Sequence, residues 1–191
     1  MSATGTAKPL RADAQRNRDA VLGAARHAFE SDGISAPLDT IAARAGVGNA
    51  TLYRNFATRE DLLAAVIERE VAELMLEGDE AARSLEPGEA FQEWLFRLTW
   101  RLRIWNDLPT CIADATDGES PLRQVSSTLL ERTGRFLQTA RAAGAVRDGF
   151  TAQEVFELVT AAAWAVDRFG DDEPAARRRV LLATAGVVAR P

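Results

Sequence analysis

The sequence predicts an all-α protein of about nine helices, in which a small three-helix head carrying a helix-turn-helix precedes a larger helical body. Three observations predict it. Apolar residues recur at the three- and four-residue spacing of helices, and the alternation typical of strands is absent. Gly and Pro fall between the periodic segments rather than inside them. With 191 residues, 47% of them hydrophobic, the chain suits one or two compact domains and can bury a sizeable core.

Residues 1–12, rich in Ala and Thr with scattered basic side chains, are expected to form a flexible arm. A first helix is expected from Asp13 to Asp32, with Val21, Leu22, Ala25, Ala28 and Phe29 on its core face and Gly33 as its stop. The next stretch, Leu38 to Phe56, has the parts of a helix-turn-helix. Pro37 opens a helix at the position where a missing N–H costs nothing. Leu38, Ile41, Ala42 and Ala45 make its apolar face, and Gly46 ends it in the left-handed conformation that is cheap only without a Cβ. Val47 plugs the corner and Gly48 keeps it tight. A second short helix begins at Asn49 and returns Leu52 and Phe56 to the same core. Its other face carries Asn49, Thr51, Tyr53, Arg54 and Asn55, donors and acceptors with a cation, suited to base edges and phosphates of a major groove.

Thr58 and Asp61 form an acidic capping box that starts a linking helix over 58–85, with Leu62, Leu63, Val66, Ile67, Val71, Leu74 and Met75 as its apolar face. Pro87-Gly88 marks a boundary. From Glu89 to Ile112, Phe91, Trp94, Leu95, Leu98, Leu102 and Trp105 form one stripe, and Phe96 and Trp100 form another. Apolar residues on two faces mean that neighbours enclose this segment or that it lines a cavity. Pro109 interrupts it, and a short helix through Cys111 to Thr116 is expected. Pro121 opens a helix ending near Gly144, and Thr151 with Glu154 forms a second capping box. That helix runs through Val155, Val159 and Val166 to Phe169. After the turn at Gly170–Pro174, a last helix carries Leu181, Leu182, Ala185, Val187 and Val188. The expected organisation is an arm over 1–12, a head over 13–60 and a body over 61–191.

Composition narrows the function. The formal charge is −5, yet residues 1–60 hold eight Lys/Arg against six Asp/Glu, and residues 61–191 hold fifteen against twenty-two. A basic head on an acidic body is compatible with phosphate binding by the head alone, because the field that matters is local. One cysteine, Cys111, and one histidine, His27, leave no disulfide within the chain, no cysteine metal cluster and no nucleophile–base pair. Without a glycine-rich phosphate loop or carboxylates at metal spacing, neither an enzyme nor a cofactor or metal site is expected. No leader-like or membrane-length apolar run stands out, so a cytoplasmic location is expected.

From Arg18 to Leu63 the chain resembles the N-terminal domain of the tetracycline-repressor-like (TetR) family of bacterial transcriptional regulators. The residues that carry the resemblance are Ala24-Ala25, Phe29, Gly33, Ile41-Ala42, Ala45-Gly46-Val47, Thr51-Leu52-Tyr53, Phe56 and Leu62-Leu63. The resemblance implies a homodimer whose heads bind operator DNA, with a small molecule in the body changing the spacing of the heads. By matching position it places Asn49, Ala50, Thr51 and Arg54 against bases, and Tyr53, Asn55 and Arg59 against phosphates. Two departures stand out. Ala36-Pro37 occupies the place of the family's frequent Ser or Thr cap, with Thr40 as the substitute, and Asn55 and Arg59 replace a frequent histidine and lysine.

The resemblance also places the dimer interface on the last two helices, where Ala161 and Ala165 allow close approach and Val180, Leu181, Thr184 and Val188 face the partner. Symmetric heads then sit ~34–36 Å apart on a pseudo-palindrome. Trp94, Leu98, Trp100, Trp105, Cys111, Phe136 and Trp164 are the candidate lining of a largely apolar ligand pocket. An alternative is a redox-sensing regulator that uses Cys111, which requires an exposed thiol of low pKa.

Overall fold

The computed structural model describes residues 7–103 and 121–189, with side chains over 12–103 and 124–189. Eight helices lie among the described residues: α1 (Ala7–Asp32), α2 (Leu38–Arg44), α3 (Asn49–Asn55), α4 (Arg59–Ser84), α5 (Pro87–Leu102), α6 (Pro121–Ala142), α7 (Ala152–Arg168) and α8 (Glu173–Thr184). The fold is all-α. The short helix expected around Cys111 lies outside the described residues. No described helix is long and apolar enough to cross a membrane. Contacts divide the chain into two compact units, with the boundary between Ile67 and Glu68 inside α4.

In the first unit, α1 begins at Ala7, six residues earlier than the expected Asp13, so half of the expected arm is helical. Pro9 did not prevent this, because it falls in the first turn, where no backbone N–H has an intrahelical partner. Val21, Leu22, Ala25, Ala28 and Phe29 are buried, as are Ile41 and Ala42 of α2 and Leu52 and Phe56 at α3. The turn between α2 and α3 is built on Gly46 at φ +69°. Its N–H bonds to the Ala43 carbonyl and that of Val47 to the Ala42 carbonyl, both at 3.1 Å, which closes the end of α2 in a Schellman arrangement. The Thr58–Asp61 capping box forms in both directions at 3.0 Å and starts α4.

In the second unit the core gathers around Trp94, which is fully buried with Phe91, Leu95 and Leu98 of the same helix. Its ring stacks on Phe136 with centroids 5.1 Å apart and planes at 12°. Its indole N–H donates to Thr133 Oγ1 at 3.0 Å, and Thr133 donates onward to the Leu129 carbonyl at 2.8 Å. The polar end of the buried ring is therefore satisfied, as such a ring requires. A Cβ at position 78 would lie 3.0 Å from the Trp94 ring, so Gly78 is what lets α4 come this close to α5.

Thr151 and Glu154 form the expected capping box at the start of α7. The last helix is shorter than expected: α8 ends at Thr184, and Val188 instead forms an isolated antiparallel bridge with Val146. Gly186 follows directly, and the Arg147 and Ala189 amides donate to the Val187 and Ala145 carbonyls at 3.0 Å. The helix breaker frees backbone groups that this pairing satisfies.

A ladder of ion pairs joins α4, α5 and α8. Arg101 binds three carboxylates of α4: Glu70 at 2.6 Å, Glu73 at 3.1 Å and Glu77. Arg97 bridges Glu77 and Glu93, and Glu93 also holds Arg177 of α8. Its hydrogen bond with Arg177 pulls the Glu93 carboxyl below its ordinary range, against the opposing effect of burial. Burial pushes Glu73 up, but the bonds and charges of Arg101 and Arg69 outweigh it and leave the carboxyl lowered.

Carboxylates with depressed pKa values stabilise the fold fully above the unfolded value of about 4.3, and that contribution is lost as pH falls through their folded values. The thermal midpoint should therefore drop on acidification below about pH 4.3, and Arg101→Met should show a shallower acid dependence with a lower midpoint at neutral pH. Melting curves across that range check both, and parallel curves for the two proteins would remove the ladder from the explanation.

Candidate nucleic-acid interface

Leu52, 1% exposed, and Phe56, 2% exposed, pin α3 to the core of the first unit. The remaining circumference of the helix is thereby turned outward. Asn49, Ala50, Arg54 and Asn55 are exposed, and Tyr53 is 49% exposed with its phenol available to a partner. Thr51 is half-buried and organises its neighbours. It accepts from Arg54 Nη2 at 2.9 Å through its hydroxyl, and from Asn55 Nδ2 at 2.7 Å through its carbonyl. Asn49 Nδ2 donates to Asp39 Oδ1 across the turn at 2.8 Å. The polar face of α3 is thus held in a defined arrangement.

α2 supports this face. Its N-cap, Pro37, has no side-chain hydrogen bond, so the cap missing from the sequence is missing from the structure as well. Thr40 is exposed on α2. Arg59 is only half-exposed, because its Nη1 turns back to donate to the carbonyls of Ile34 (3.0 Å) and Ala36. That bond ties the loop entering α2 to the start of α4, a task the sequence did not reveal. The cation reaches its partners through long-range folding, 25 and 23 residues away. Arg18 lies over the Phe56 ring at 5.1 Å and extends the positive character of this unit toward α1.

The seven candidate pocket residues are only partly brought together. Trp94, Leu98 and Phe136 share one buried cluster. Trp100 packs on Phe96 in a separate cluster, with centroids 6.2 Å apart and the Arg103 guanidinium over its ring. Trp164 is 55% exposed, so it is a surface residue of α7 rather than a lining of the Trp94 cluster. Trp105 and Cys111 lie outside the described residues. Helical phase explains the difference, since Trp164 falls one position past Ala163 and off the buried stripe of Val155, Val159, Ala162, Ala163 and Val166.

The candidate interface residues divide in the same way. Ala161 and Leu181 are exposed and Ala165 is half-exposed, whereas Val180 and Thr184 are buried within the chain and Val188 is tied to Val146. Val180 and Thr184 lie one turn apart on the inward stripe of α8, with the Thr184 hydroxyl bonded to the Val180 carbonyl at 2.8 Å. The large apolar residues that α7, α8 and the turn between them do expose are Trp164, Phe169, Leu181 and Leu182.

Residues 21–66 match the family described as bacterial regulatory proteins, tetR family. Residues 86–189 match the C-terminal domain described as transcriptional regulator SbtR-like. Among solved structures, a TetR transcriptional regulator from Streptomyces coelicolor is 31% identical, with 91% of this chain and 99% of that one covered at a TM-score of 0.66. A TetR regulatory protein from Mycobacterium vanbaalenii is 29% identical over 95% of this chain and 100% of that one, again at 0.66. A TetR-family regulator from Rhodococcus sp., 20% identical, shares the fold at a TM-score of 0.72 over 92% and 100%. No curated protein sequence matches. The helix-turn-helix geometry and matches to both domains lead to one conclusion: the chain belongs to the TetR family of bacterial transcriptional regulators, with a DNA-binding N-terminal domain.

Proposed function

We propose that the protein is a homodimeric repressor that reads a pseudo-palindromic operator through α3 and releases it when a largely apolar ligand binds the C-terminal domain. The observation that carries the DNA part is the outward face of α3. In this reading Asn49, Ala50, Thr51 and Arg54 meet base edges and Tyr53, Asn55 and Thr40 meet phosphates, which their exposure or position on this face supports, while Leu52 and Phe56 hold the helix in register. Arg59 acts mainly by fixing the loop before α2, with whatever donors remain directed to the backbone of DNA.

The dimer part rests on apolar exposure. Trp164, Phe169, Leu181 and Leu182 stand on α7, α8 and their connecting turn, joined by the small residues Ala161 and Ala165. Large apolar side chains concentrated on adjacent elements mark an interaction surface rather than scattered exposure. The ligand part rests on the aromatic core. Trp94, Phe136 and Leu98 pack against one another in one buried cluster, and in this reading an apolar ligand enters by parting them.

A gel-shift on the DNA upstream of the protein's own coding sequence tests the reading at two salt concentrations. A discrete complex that weakens steeply with salt is expected, and Arg54→Ala should lower affinity roughly tenfold or more. Unchanged affinity in Arg54→Ala and Tyr53→Phe would remove α3 from the interface. In sedimentation, Leu182→Glu should convert a dimer to a monomer that still melts cooperatively; a dimer that persists would place the interface elsewhere. Finally, a compound that dissolves the complex should shift tryptophan emission in the native protein and not in Phe136→Ala. Release by apolar compounds with no such change would move the ligand away from Trp94.

A further inference from the structure

One residue beside the outward face of α3 carries the wrong charge for a surface that meets phosphates. Asp39 is exposed in the first turn of α2 and accepts the hydrogen bond from Asn49 Nδ2 at 2.8 Å. A carboxylate in that place repels DNA, so its presence calls for a compensating role. Stability is a weak candidate, because both side chains are exposed and exposed polar contacts add little. The position of α3 is in any case set by Leu52 and Phe56.

What the contact does control is the orientation of the Asn49 amide. A free asparagine can present its oxygen or its nitrogen in either direction. An ionised carboxylate only accepts, so it admits the NH2 side of the amide and turns Oδ1 away. One N–H then remains unused beside the Oδ1 acceptor. Adjacent donor and acceptor atoms of this kind match N7 and N6 of adenine in the major groove, the bidentate contact that asparagine makes best. Arg54 and Asn55 are likewise held by Thr51, so the face as a whole is ordered before DNA arrives.

We propose that Asp39 is a positioning residue that presets Asn49 to read an adenine in each operator half-site. The proposal rests on the reading of α3 as the recognition helix. It assigns to Asp39 a gain in discrimination obtained at the expense of overall affinity.

Selection of bound sequences from a randomised duplex library, using the full chain, tests it. The native protein should enrich a half-site with one adenine that Asn49→Ala no longer distinguishes, a loss of roughly 5- to 150-fold at that base pair alone. Asp39→Ala should relax the same position several-fold while raising affinity for unrelated DNA. Asp39→Asn can donate as well as accept, so it no longer fixes which way the Asn49 amide faces; it should relax the adenine preference as Asp39→Ala does and also bind unrelated DNA more tightly. Melting temperatures close to the native value in all three variants separate these effects from unfolding. Asp39→Ala with the adenine preference intact would overturn the proposal. So would relaxation at a cytosine instead, which would mean that the carboxylate reads the cytosine amino group itself. If the native protein enriches no sequence, the recognition-helix reading fails and the role of Asp39 fails with it.

Discussion

Seven residues of helix are too few to persist in water, since forming the first turn costs more than so few hydrogen bonds return. α3 is such a helix, and it exists because Leu52 and Phe56 are buried on one side of it. Everything functional about the head depends on that anchoring. It decides which residues face outward, and it holds the backbone from which they project. The left-handed turn at Gly46 sets the approach of α3 to α2, and Arg59 holds the far end of α2 by its entering loop. A polar face of five side chains is thus presented by an element that makes almost no stability of its own.

The head was legible in the sequence because its determinants are local. Gly46, Val47, Leu52 and Phe56 act within a few residues of one another, and the capping boxes at Thr58 and Thr151 are complete within four residues. What stayed hidden was long-range or a matter of helical phase. Nothing near Arg59 in sequence points to the carbonyls of Ile34 and Ala36, and nothing near Asp39 points to Asn49. In the body, aromatic content alone predicts a single lining, yet one step of helical rotation separates the exposed Trp164 from the buried Ala163. Val180 and Thr184 were lost to the inner face of α8 for the same reason. Composition does not carry phase on helices that are apolar over more than half of their circumference.

The body solves a different problem, that of holding three helices in fixed relation while burying charge. Glu70 is 5% exposed, and an isolated carboxylate there would be costly. Arg101 offsets that cost by meeting three carboxylates with one planar fork, and Arg97 and Arg177 extend the same pattern to Glu93. Since each arginine serves more than one partner, the side-chain ordering needed for the first contact is shared by the next.

The exclusive use of guanidinium in this ladder has a practical side. The chain holds one lysine, Lys8, against twenty-two arginines. Reagents that acylate primary amines therefore leave every cation of the ladder untouched. Coupling is confined to Lys8 and any free α-amino group, so a fluorophore attached in this way reports from the sequence that precedes the helix-turn-helix. An intact ladder and a label kept away from it come from the same bias in composition.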